Sequence, residues 1–338
     1  MGPNSEVVLR TRDLSMHFPF EAGLFRKSAG VVRAVDGVSL DIHAGETVGL
    51  VGESGSGKTT FGRTVTRLLD PTAGTVEFRS DAGLVDITRM PQKDLRQIRR
   101  QMNMVFQDPL SSLNPRMRVK TIIGEPLILH HLAKGRQLQD RVAELLELVG
   151  LRPHHMDRFP HAFSGGQRQR IAIARALALN PRFIVCDEAV SALDASVQAQ
   201  VLNLFMDLQE RFGLTYLFIA HDLAVVRHVS DQIVVLYLGR IVEQGPAKSV
   251  TANPQHPYTE ALLSAMPEAT FDRGRRRMIL EGDLPDAANP PPGCRFSSRC
   301  NYCAPICLEE EPELKATRHG PNHLAACHFA DELQLVSS

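Results

Sequence analysis

A glycine-rich octapeptide at residues 52–59, Gly-Glu-Ser-Gly-Ser-Gly-Lys-Thr, restricts the fold of this chain more than any other segment. It matches the phosphate-binding loop pattern G-x-x-x-x-G-K-S/T. An apolar run at 47–51 precedes it, and a helix-compatible run at 60–69 follows it. Because the pattern is meaningful only between a strand and a helix, this context predicts a strand–loop–helix unit of an α/β protein.

The side chains and backbone of this loop suit a nucleoside triphosphate. Its glycines let backbone N–H groups turn onto phosphate oxygens, and the helix N-terminus adds partial positive charge. Lys58 is placed to reach the β- and γ-phosphates, and the Thr59 hydroxyl to bind Mg²⁺. The nucleotide-binding residues predicted here are Gly52, Glu53, Ser54, Gly55, Ser56, Gly57, Lys58, Thr59 and Thr60.

Two adjacent carboxylates end a second apolar run, Phe-Ile-Val-Cys-Asp-Glu at 183–188. Burying carboxylates without partners is costly, so such a pair is seldom structural. Asp187 suits the surroundings of Mg²⁺, and Glu188 lies where a base would activate an attacking water. The pair therefore predicts hydrolysis of the bound nucleotide.

A second glycine-rich turn, Ser164-Gly165-Gly166-Gln167, opens a helical run at 168–179. A glycine turn at a helix N-terminus is a ready anion site. One nucleotide does not need two phosphate sites from one chain, so we expect this turn to contact the nucleotide of another subunit, across a dimer. The alternative is that Ser-Gly-Gly forms a simple helix N-cap.

The motifs, in this order, resemble the ATP-binding subunits of ABC transporters, in which Ser-Gly-Gly-Gln is the signature motif. The resemblance implies that Gln107, in Val-Phe-Gln-Asp-Pro, contacts Mg²⁺ and senses the γ-phosphate. It implies that Asp194, in Ser-Ala-Leu-Asp, lies on a loop that crosses the dimer interface. It also implies that His221 contacts the γ-phosphate.

Two further positions are compared with the family. Phe18 falls where the family stacks an aromatic ring on adenine, and Phe20 and Phe25 are alternatives nearby. After the Asp-Glu pair the family usually has proline, where this chain has Ala189. That position shapes the turn and carries no chemistry, so we expect hydrolysis to be retained. The catalytic set implied is Glu188, His221 and Lys58.

The charge and hydropathy of the chain exclude some classes of protein. Of its 338 residues, 38 are basic and 38 acidic, which argues against electrostatic capture of nucleic acid. No stretch approaches the ~18–20 apolar residues of a membrane span, and the N-terminus lacks the pattern of a secretion signal. We therefore expect a chain that works at the cytoplasmic face of the membrane, with any pore formed by other subunits.

The order of elements predicts an α/β fold of the P-loop NTPase class, here of the ABC-type ATPase. Residues 6–50 are strand-rich, which fits the family's antiparallel β subdomain, and residues 108–180 are mostly helical, which fits its signature subdomain. Apolar strands separated by helical patterns predict a parallel sheet with helices on both faces; they lie near 47–51, 182–186, 215–219 and 232–238. We predict a nucleotide-binding domain at 1–250 and a C-terminal extension at 251–338.

Five of the six cysteines lie in this extension: Cys294, Cys300, Cys303, Cys307 and Cys327. In a cytoplasmic protein, clustered cysteines indicate a metal rather than disulfides. A segment rich in proline and glycine has little core of its own, so bound metal would stabilise it. Thiolate ligands suit either Zn²⁺ or an iron–sulfur cluster.

The extension also resembles one branch of the family. The segments Asn-Pro-Gln-His-Pro-Tyr-Thr and Pro-Pro-Pro-Gly-Cys are similar to those of dipeptide and oligopeptide importer ATPases, and the resemblance covers roughly residues 6–329. It implies a 4Fe–4S cluster on Cys294, Cys300, Cys307 and Cys327. Cys303 is extra, and with Cys300 it forms a Cys-x-x-Cys pair that suits zinc; thiols without metal are the third alternative.

The resemblance implies ATP hydrolysis that powers peptide import. The implied partners are a second, similar but non-identical ATP-binding subunit, two transmembrane permease subunits and an extracytoplasmic substrate-binding protein. Importers of nickel, opines, glutathione and sugars share the motifs, and the substrate site lies on other subunits. A soluble, non-transport ABC-type ATPase is the distant alternative, but it would lack this extension. We expect loss of the cluster to destabilise residues 290–330 and the docking of the complex. It should have little direct effect on ATP binding, because the phosphate-binding set is complete without the extension.

Overall fold

The computed structural model describes residues 6–20, 30–108, 112–266 and 284–335. The strands are β1 Val7–Phe20, β2 Gly30–His43, β3 Thr47–Val51, β4 Ala73–Ser80, β5 Gly83–Asp86, β6 Met102–Val105, β7 Phe183–Asp187, β8 Thr215–Ile219, β9 Gln232–Tyr237, β10 Arg240–Pro246, β11 Lys315–Thr317 and β12 Gly320–Ala325. The helices are α1 Lys58–Val65, α2 Gln92–Ile98, α3 Val119–Leu129, α4 Gly135–Leu148, α5 Gly165–Leu177, α6 Ala195–Phe212, α7 Leu223–Val229, α8 Ala247–Ala252, α9 Pro257–Ser264 and α10 Pro305–Glu309.

The first part of the chain forms an antiparallel sheet of strand order β2-β1-β4-β5. Strands β1 and β2 pair from Val7 opposite His43 to Phe20 opposite Gly30, and β4 joins the other edge of β1. Apolar residues such as Leu9, Leu14 and Ile42 are fully buried on the inner face. The expected antiparallel β subdomain is therefore present.

The second sheet has the order β11-β12-β10-β9-β3-β8-β7-β6. Strands β7, β8, β3 and β9 are mutually parallel, as predicted, and β6, which was not predicted, is parallel to β7. The sheet as a whole is mixed, because β10 and β12, which were not among the predicted strands, are antiparallel to their neighbours. The turn between β9 and β10 consists of Leu238 and Gly239, both at positive φ, which is the geometry of a tight hairpin and requires antiparallel strands.

The central strands are covered on both faces. Every residue of β3, β7 and β8 is buried, as expected for a parallel sheet between two layers. One face packs on the antiparallel sheet and α1, and the other on the helical region. At Gly49 a Cβ would lie 1.9 Å from Val226 of α7, so only glycine allows this close approach of helix to strand.

The helical region spans α3, α4 and α5, which pack on one another through buried side chains such as Ile123, Leu145 and Ile171. Helix α1 is shorter than the run at 60–69 predicted. It ends at Val65, since the Thr66 hydroxyl bonds the Gly62 carbonyl at 2.9 Å and Arg67 takes a positive φ. Threonine hydroxyls that bond the preceding turn compete with helix continuation.

The C-terminal extension is part of the same structure rather than an appended segment. Strand β12 pairs with β10, with Glu243 opposite Ala325. Arg295 donates to the carbonyl of Leu238 in the β9–β10 turn and pairs with Asp36 of β2. Within the described ranges, no helix is both long enough and apolar enough to cross a membrane.

Candidate active site

The phosphate-binding loop runs from the end of β3 to the start of α1, as the sequence predicts. A Cβ at Gly52 would lie 2.2 Å from the Leu236 carbonyl oxygen, and one at Gly57 would lie 2.0 Å from that of Ala34. Gly57 also has φ 106°, which L side chains rarely adopt. The loop is therefore threaded between two backbone segments that admit only glycine at these positions.

Lys58 lies inside the loop and is 4% exposed. Its Nζ donates to the carbonyl oxygens of Gly52 at 2.7 Å and Glu53 at 2.8 Å. Burial lowers the pKa of Lys58, and the nearby carboxylates of Glu188 and Asp187 oppose that shift. The ammonium group thus rests on loop carbonyls, close to two acids, at the start of α1.

Thr59 and Asp187 meet at the carboxyl end of β7. The Thr59 hydroxyl donates to Asp187 Oδ1 at 2.8 Å, and Asp187 is 1% exposed. Burial raises the pKa of Asp187, and the hydrogen bond from Thr59 works in the opposite direction. A hydroxyl and a carboxylate at a phosphate loop are hard oxygen donors of the kind Mg²⁺ prefers, so this pair fits the ion.

Glu188 is the point where three predicted residues converge. Its Oε2 accepts a hydrogen bond from Gln107 Nε2 at 2.7 Å and lies 3.8 Å from His221 Nδ1. Its φ is 46°, and its N–H donates to the Ile219 carbonyl at 2.9 Å. A non-glycine residue at positive φ directly after a buried strand is strained, and such strain is typical of functional sites.

The signature turn lies at the N-terminus of α5, where Ser164 is the N-cap. Ser164 and Gln167 form a reciprocal capping box, with distances of 3.1 and 3.4 Å. The N-cap alternative is thus correct as local structure, and Ser164 and Gly165 are exposed. Asp194 caps α6 through the Val197 N–H at 3.0 Å, and Val197 packs against Gly166.

The three aromatic residues considered for adenine differ in their surroundings. Phe18 lies on β1 opposite Val32 and is 37% exposed. The ring of Phe20 covers Gly30, where an added Cβ would lie 2.3 Å from it. Phe25 lies outside the described residues. Of Phe18 and Phe20, Phe18 therefore has the more accessible ring.

Two residues of the C-terminal extension contact the phosphate-binding loop, and the sequence reasoning missed both. The Glu53 N–H donates to the Tyr258 hydroxyl at 2.6 Å. The guanidinium of Arg299 donates to both carboxylate oxygens of Glu53, at 2.6 and 3.1 Å. Hydrogen bonds therefore join the loop to the extension, and the small effect of cluster loss on ATP binding stays a prediction. The only signal in the sequence was that Tyr258 lies in a segment shared with importer ATPases and that Arg299 directly precedes Cys300.

The cysteines of the extension approach one another. Burial, with a smaller contribution from the thiols of Cys307, Cys327 and Cys300, raises the pKa of Cys294 to about 12. The pKa of Cys327 is raised to about 11 for similar reasons. Backbone hydrogen bonds two residues onward act against these shifts at Cys294, Cys300 and Cys327. Among the described residues, no group of three or more His, Cys, Asp or Glu side chains could hold a metal ion as they stand.

Comparison with known proteins identifies the family. Residues 35–191 match the family described as ABC transporter, and residues 242–307 match that described as Oligopeptide/dipeptide transporter, C-terminal region. Over 330 residues the chain is 51% identical to the oligopeptide transport ATP-binding protein AppF of Bacillus subtilis (strain 168), covering 96% of this chain and 98% of AppF. The chain belongs to the ATP-binding proteins of oligopeptide/dipeptide ABC transporters.

Other relatives agree with this ABC transporter assignment. The chain is 46% identical over 327 residues to the di/tripeptide transport ATP-binding protein DppF of Pseudomonas aeruginosa (strain UCBPP-PA14), covering 97% of this chain and 99% of DppF. A dimeric structure of the ATP-binding cassette MJ0796, in a post-hydrolysis state with ADP and Pi, matches with a TM-score of 0.61 at 29% identity. That match covers 71% of this chain and 98% of MJ0796. The fold is therefore that of an ABC-type ATPase, a class that hydrolyses ATP to drive transport.

Proposed function

We propose that this ATPase powers the import of di- or oligopeptides through a membrane complex. The convergence of Gln107, Glu188 and His221 at the end of β7, beside the loop that carries Lys58, is the observation that carries the hydrolytic part. The peptide part is supported by the names of AppF and DppF, both peptide transport proteins that match over nearly the whole chain.

The phosphates of ATP would lie along the loop from Gly52 to Thr60, with their charge met by backbone N–H groups and Lys58. Lys58 would leave the Gly52 and Glu53 carbonyls for the β- and γ-phosphates. Thr59, Gln107 and Asp187 would hold Mg²⁺, which neutralises phosphate charge when bound. Phe18 would stack on adenine, since its ring is accessible on β1.

Glu188 would act as the general base for the attacking water. In the structure its Oε2 is engaged by the Gln107 amide at 2.7 Å. Movement of Gln107 towards the nucleotide would release that oxygen to accept a proton. His221, whose Nδ1 lies 3.8 Å from the same oxygen, would contact the γ-phosphate and stabilise its charge as the bond breaks.

The active unit would be a dimer in which each nucleotide lies between two subunits. The signature turn packs against the helix that Asp194 caps, and Ser164, Gly165 and Asp194 are exposed, which suits a role against the nucleotide of the opposite subunit. The MJ0796 structure, described as dimeric, supports this arrangement. The partner here would be a similar, non-identical ATP-binding subunit, and binding of ATP would close the pair.

The remaining partners would be two transmembrane permease subunits and an extracytoplasmic substrate-binding protein. The ATPase would act at the cytoplasmic face of the membrane, docked on the permeases. Because the substrate contacts only those other subunits, nickel, opine, glutathione or sugar import by the same motor is the alternative to peptide import.

We further propose a 4Fe–4S cluster on Cys294, Cys300, Cys307 and Cys327. These four thiols influence one another electrostatically, and backbone N–H groups oppose protonation at three of them, as suits thiolate ligands. Soft thiolate donors of this kind suit a cluster, and Zn²⁺ on the same thiols is the alternative.

Reconstituted transport tests the proposed function. The complete complex is placed in vesicles with ATP on the side of the ATPase, and uptake of a labelled tripeptide is measured against labelled Ni²⁺ and glutathione. We expect ATP-dependent uptake of the peptide, and none with Glu188→Gln in this subunit. Uptake of Ni²⁺ or glutathione without uptake of peptide would contradict the peptide assignment.

A further inference from the structure

Glu53, the second residue of the phosphate-binding loop, is held by the C-terminal extension. We propose that Tyr258 and Arg299, here called the extension clamp, are positioning residues for ATP: they fix the first half of the loop and neutralise the negative charge that Glu53 places beside the phosphates. The proposal rests on ATP binding at this loop, and it adds a role for the extension in nucleotide affinity.

Every hydrogen-bonding part of Glu53 is engaged. Its N–H donates to the Tyr258 hydroxyl at 2.6 Å, and its carboxylate accepts two hydrogen bonds from Arg299 at 2.6 and 3.1 Å. Its carbonyl accepts from Lys58 Nζ at 2.8 Å. One residue therefore links two side chains of the extension to the lysine that would bind the phosphates.

The extension clamp is itself rigid. Tyr258 is fully buried, with its ring 4.6 Å from that of Tyr237 and 5.5 Å from that of Phe296. The Arg299 side chain is 5% exposed, and it also lies 3.5 Å from the Tyr237 hydroxyl. A bidentate, largely buried arginine–carboxylate pair is among the stronger and more directional contacts in proteins. These partners have little freedom to follow Glu53 if the loop moves.

This rigidity matters because Lys58 must change partners when ATP binds. As Lys58 leaves the Gly52 and Glu53 carbonyls, the loop loses two internal hydrogen bonds. The contacts from Tyr258 and Arg299 remain, so the loop keeps its shape and less free energy goes into ordering it. Pre-organisation of this kind raises affinity without any direct contact between the extension clamp and the nucleotide.

The second effect is electrostatic. A phosphate loop with a carboxylate in its second position places negative charge near an anionic ligand, and Arg299 neutralises that charge. Removing the charge of Arg299 alone leaves the Glu53 carboxylate unpaired beside the phosphates. Removing the charges of both Arg299 and Glu53 leaves no unpaired carboxylate there. The two side chains are therefore expected to be coupled in their effect on ATP binding, which a double-mutant cycle measures.

The test is ATP affinity of the full-length chain, measured by calorimetry in a Glu188→Gln background so that ATP is not consumed. We expect Arg299→Gln to weaken binding about tenfold, and Arg299→Lys or Tyr258→Phe about threefold. Adding Glu53→Gln to Arg299→Gln should restore most of the loss. In the hydrolytically active complex, Arg299→Gln should raise the KM for ATP while kcat stays within about twofold.

Arg318→Gln is the matched control, since Arg318 also lies in the extension but its side chain donates to His319 and to the Asp331 carbonyl oxygen rather than to the loop. It should leave ATP affinity unchanged. The proposal is overturned if Arg299→Gln, Arg299→Lys and Tyr258→Phe all bind ATP as the parent does. It is also overturned if the double variant with Glu53→Gln and Arg299→Gln binds ATP no more tightly than Arg299→Gln alone. A parent chain that fails to bind ATP would instead refute the proposed function, and the extension clamp with it.

Discussion

Glu53 and Glu243 are two residues of the nucleotide-binding part whose carboxylates hold the extension, Glu53 through Arg299 and Glu243 through His256. His256 is buried at the N-cap of α9, where its Nδ1 accepts from the Tyr258 N–H at 3.1 Å. Its own N–H donates to the carboxylate of Glu243 at 2.9 Å. The segment that carries Tyr258 to Glu53 is thus anchored by a neutral histidine.

Because His256 is buried in its neutral form, we expect the stability of the fold to decrease in acid. Burial lowers the pKa of His256 from its usual 6.5 to about 3, so the folded chain keeps it neutral where the unfolded chain protonates it. The unfolded state therefore binds more protons between these values, and the free energy of unfolding should fall as the pH falls from 6.5 towards 3. One such group contributes a slope of about 1.4 kcal/mol per pH unit.

Urea unfolding between pH 7.5 and 5 measures this slope. His256→Asn keeps a side-chain oxygen that can cap α9 but cannot titrate, so its slope should be shallower than that of the wild type. His228→Asn, at an exposed position, should retain the wild-type slope. Equal slopes for His256→Asn and the wild type would show that His256 is not the group responsible.

At the scale of elements, the contact between α5 and α6 sets the position of the signature turn. A Cβ at Gly166 would lie 2.3 Å from Val197 Cγ1, whereas one at Gly165 would lie 3.6 Å from Leu193. Valine on a helix has essentially one side-chain rotamer, so it cannot turn away. The two adjacent glycines thus meet different steric limits.

Alanine substitution at each glycine tests this difference. Gly166→Ala should destabilise the chain by about 1–3 kcal/mol through overpacking. Gly165→Ala is the control, since it has the same gain in helix propensity and only an ordinary contact, and should stay within about 0.5 kcal/mol of the wild type. Thermal unfolding of the wild type and of both variants measures this difference in stability. A Gly166→Ala chain as stable as Gly165→Ala would refute the steric argument.

The sequence predicted the elements whose causes are local. Strands β3, β7 and β8 are short apolar runs, and the loop between β3 and α1 carries its own glycine pattern, so each was recognisable from adjacent residues. The hairpin at Leu238 and the contact of Arg299 with Glu53 were not recognisable from adjacent residues. The first places a leucine at positive φ, against its preference, and the second joins residues 246 positions apart through folding of the whole chain.

At the scale of the whole molecule, the extension should carry iron and sulfide. In protein purified without oxygen, we expect iron, acid-labile sulfide and broad visible absorbance. Cys294→Ser, Cys300→Ser, Cys307→Ser or Cys327→Ser should remove them, because a hydroxyl is a poor substitute for a thiolate. Cys303→Ser is the control and should leave them intact, since Cys303 is exposed and four other thiols complete the set. Stoichiometric zinc without iron would replace the cluster by a zinc site.

The proposed dimer also belongs to this scale, since the loop of Lys58 and the turn at Ser164 would complete each other's sites only across two chains. ATP hydrolysis by a single chain should therefore be poor. When the non-identical subunit proposed as its partner is absent, two copies of this chain would pair in its place at high concentration, so the rate per chain should rise with protein concentration. Each copy then supplies the signature turn to the other.

Steady-state ATP hydrolysis by the purified chain, measured over a range of protein concentrations, tests the central claim most directly. We expect a rate per chain that rises with concentration for the wild type and for Glu144→Gln, an exposed glutamate of α4. Glu188→Gln should bind ATP but lose at least about 100-fold in rate, because an amide cannot act as a base. A Glu188→Gln rate near that of the wild type, or full wild-type activity independent of concentration, would contradict the account.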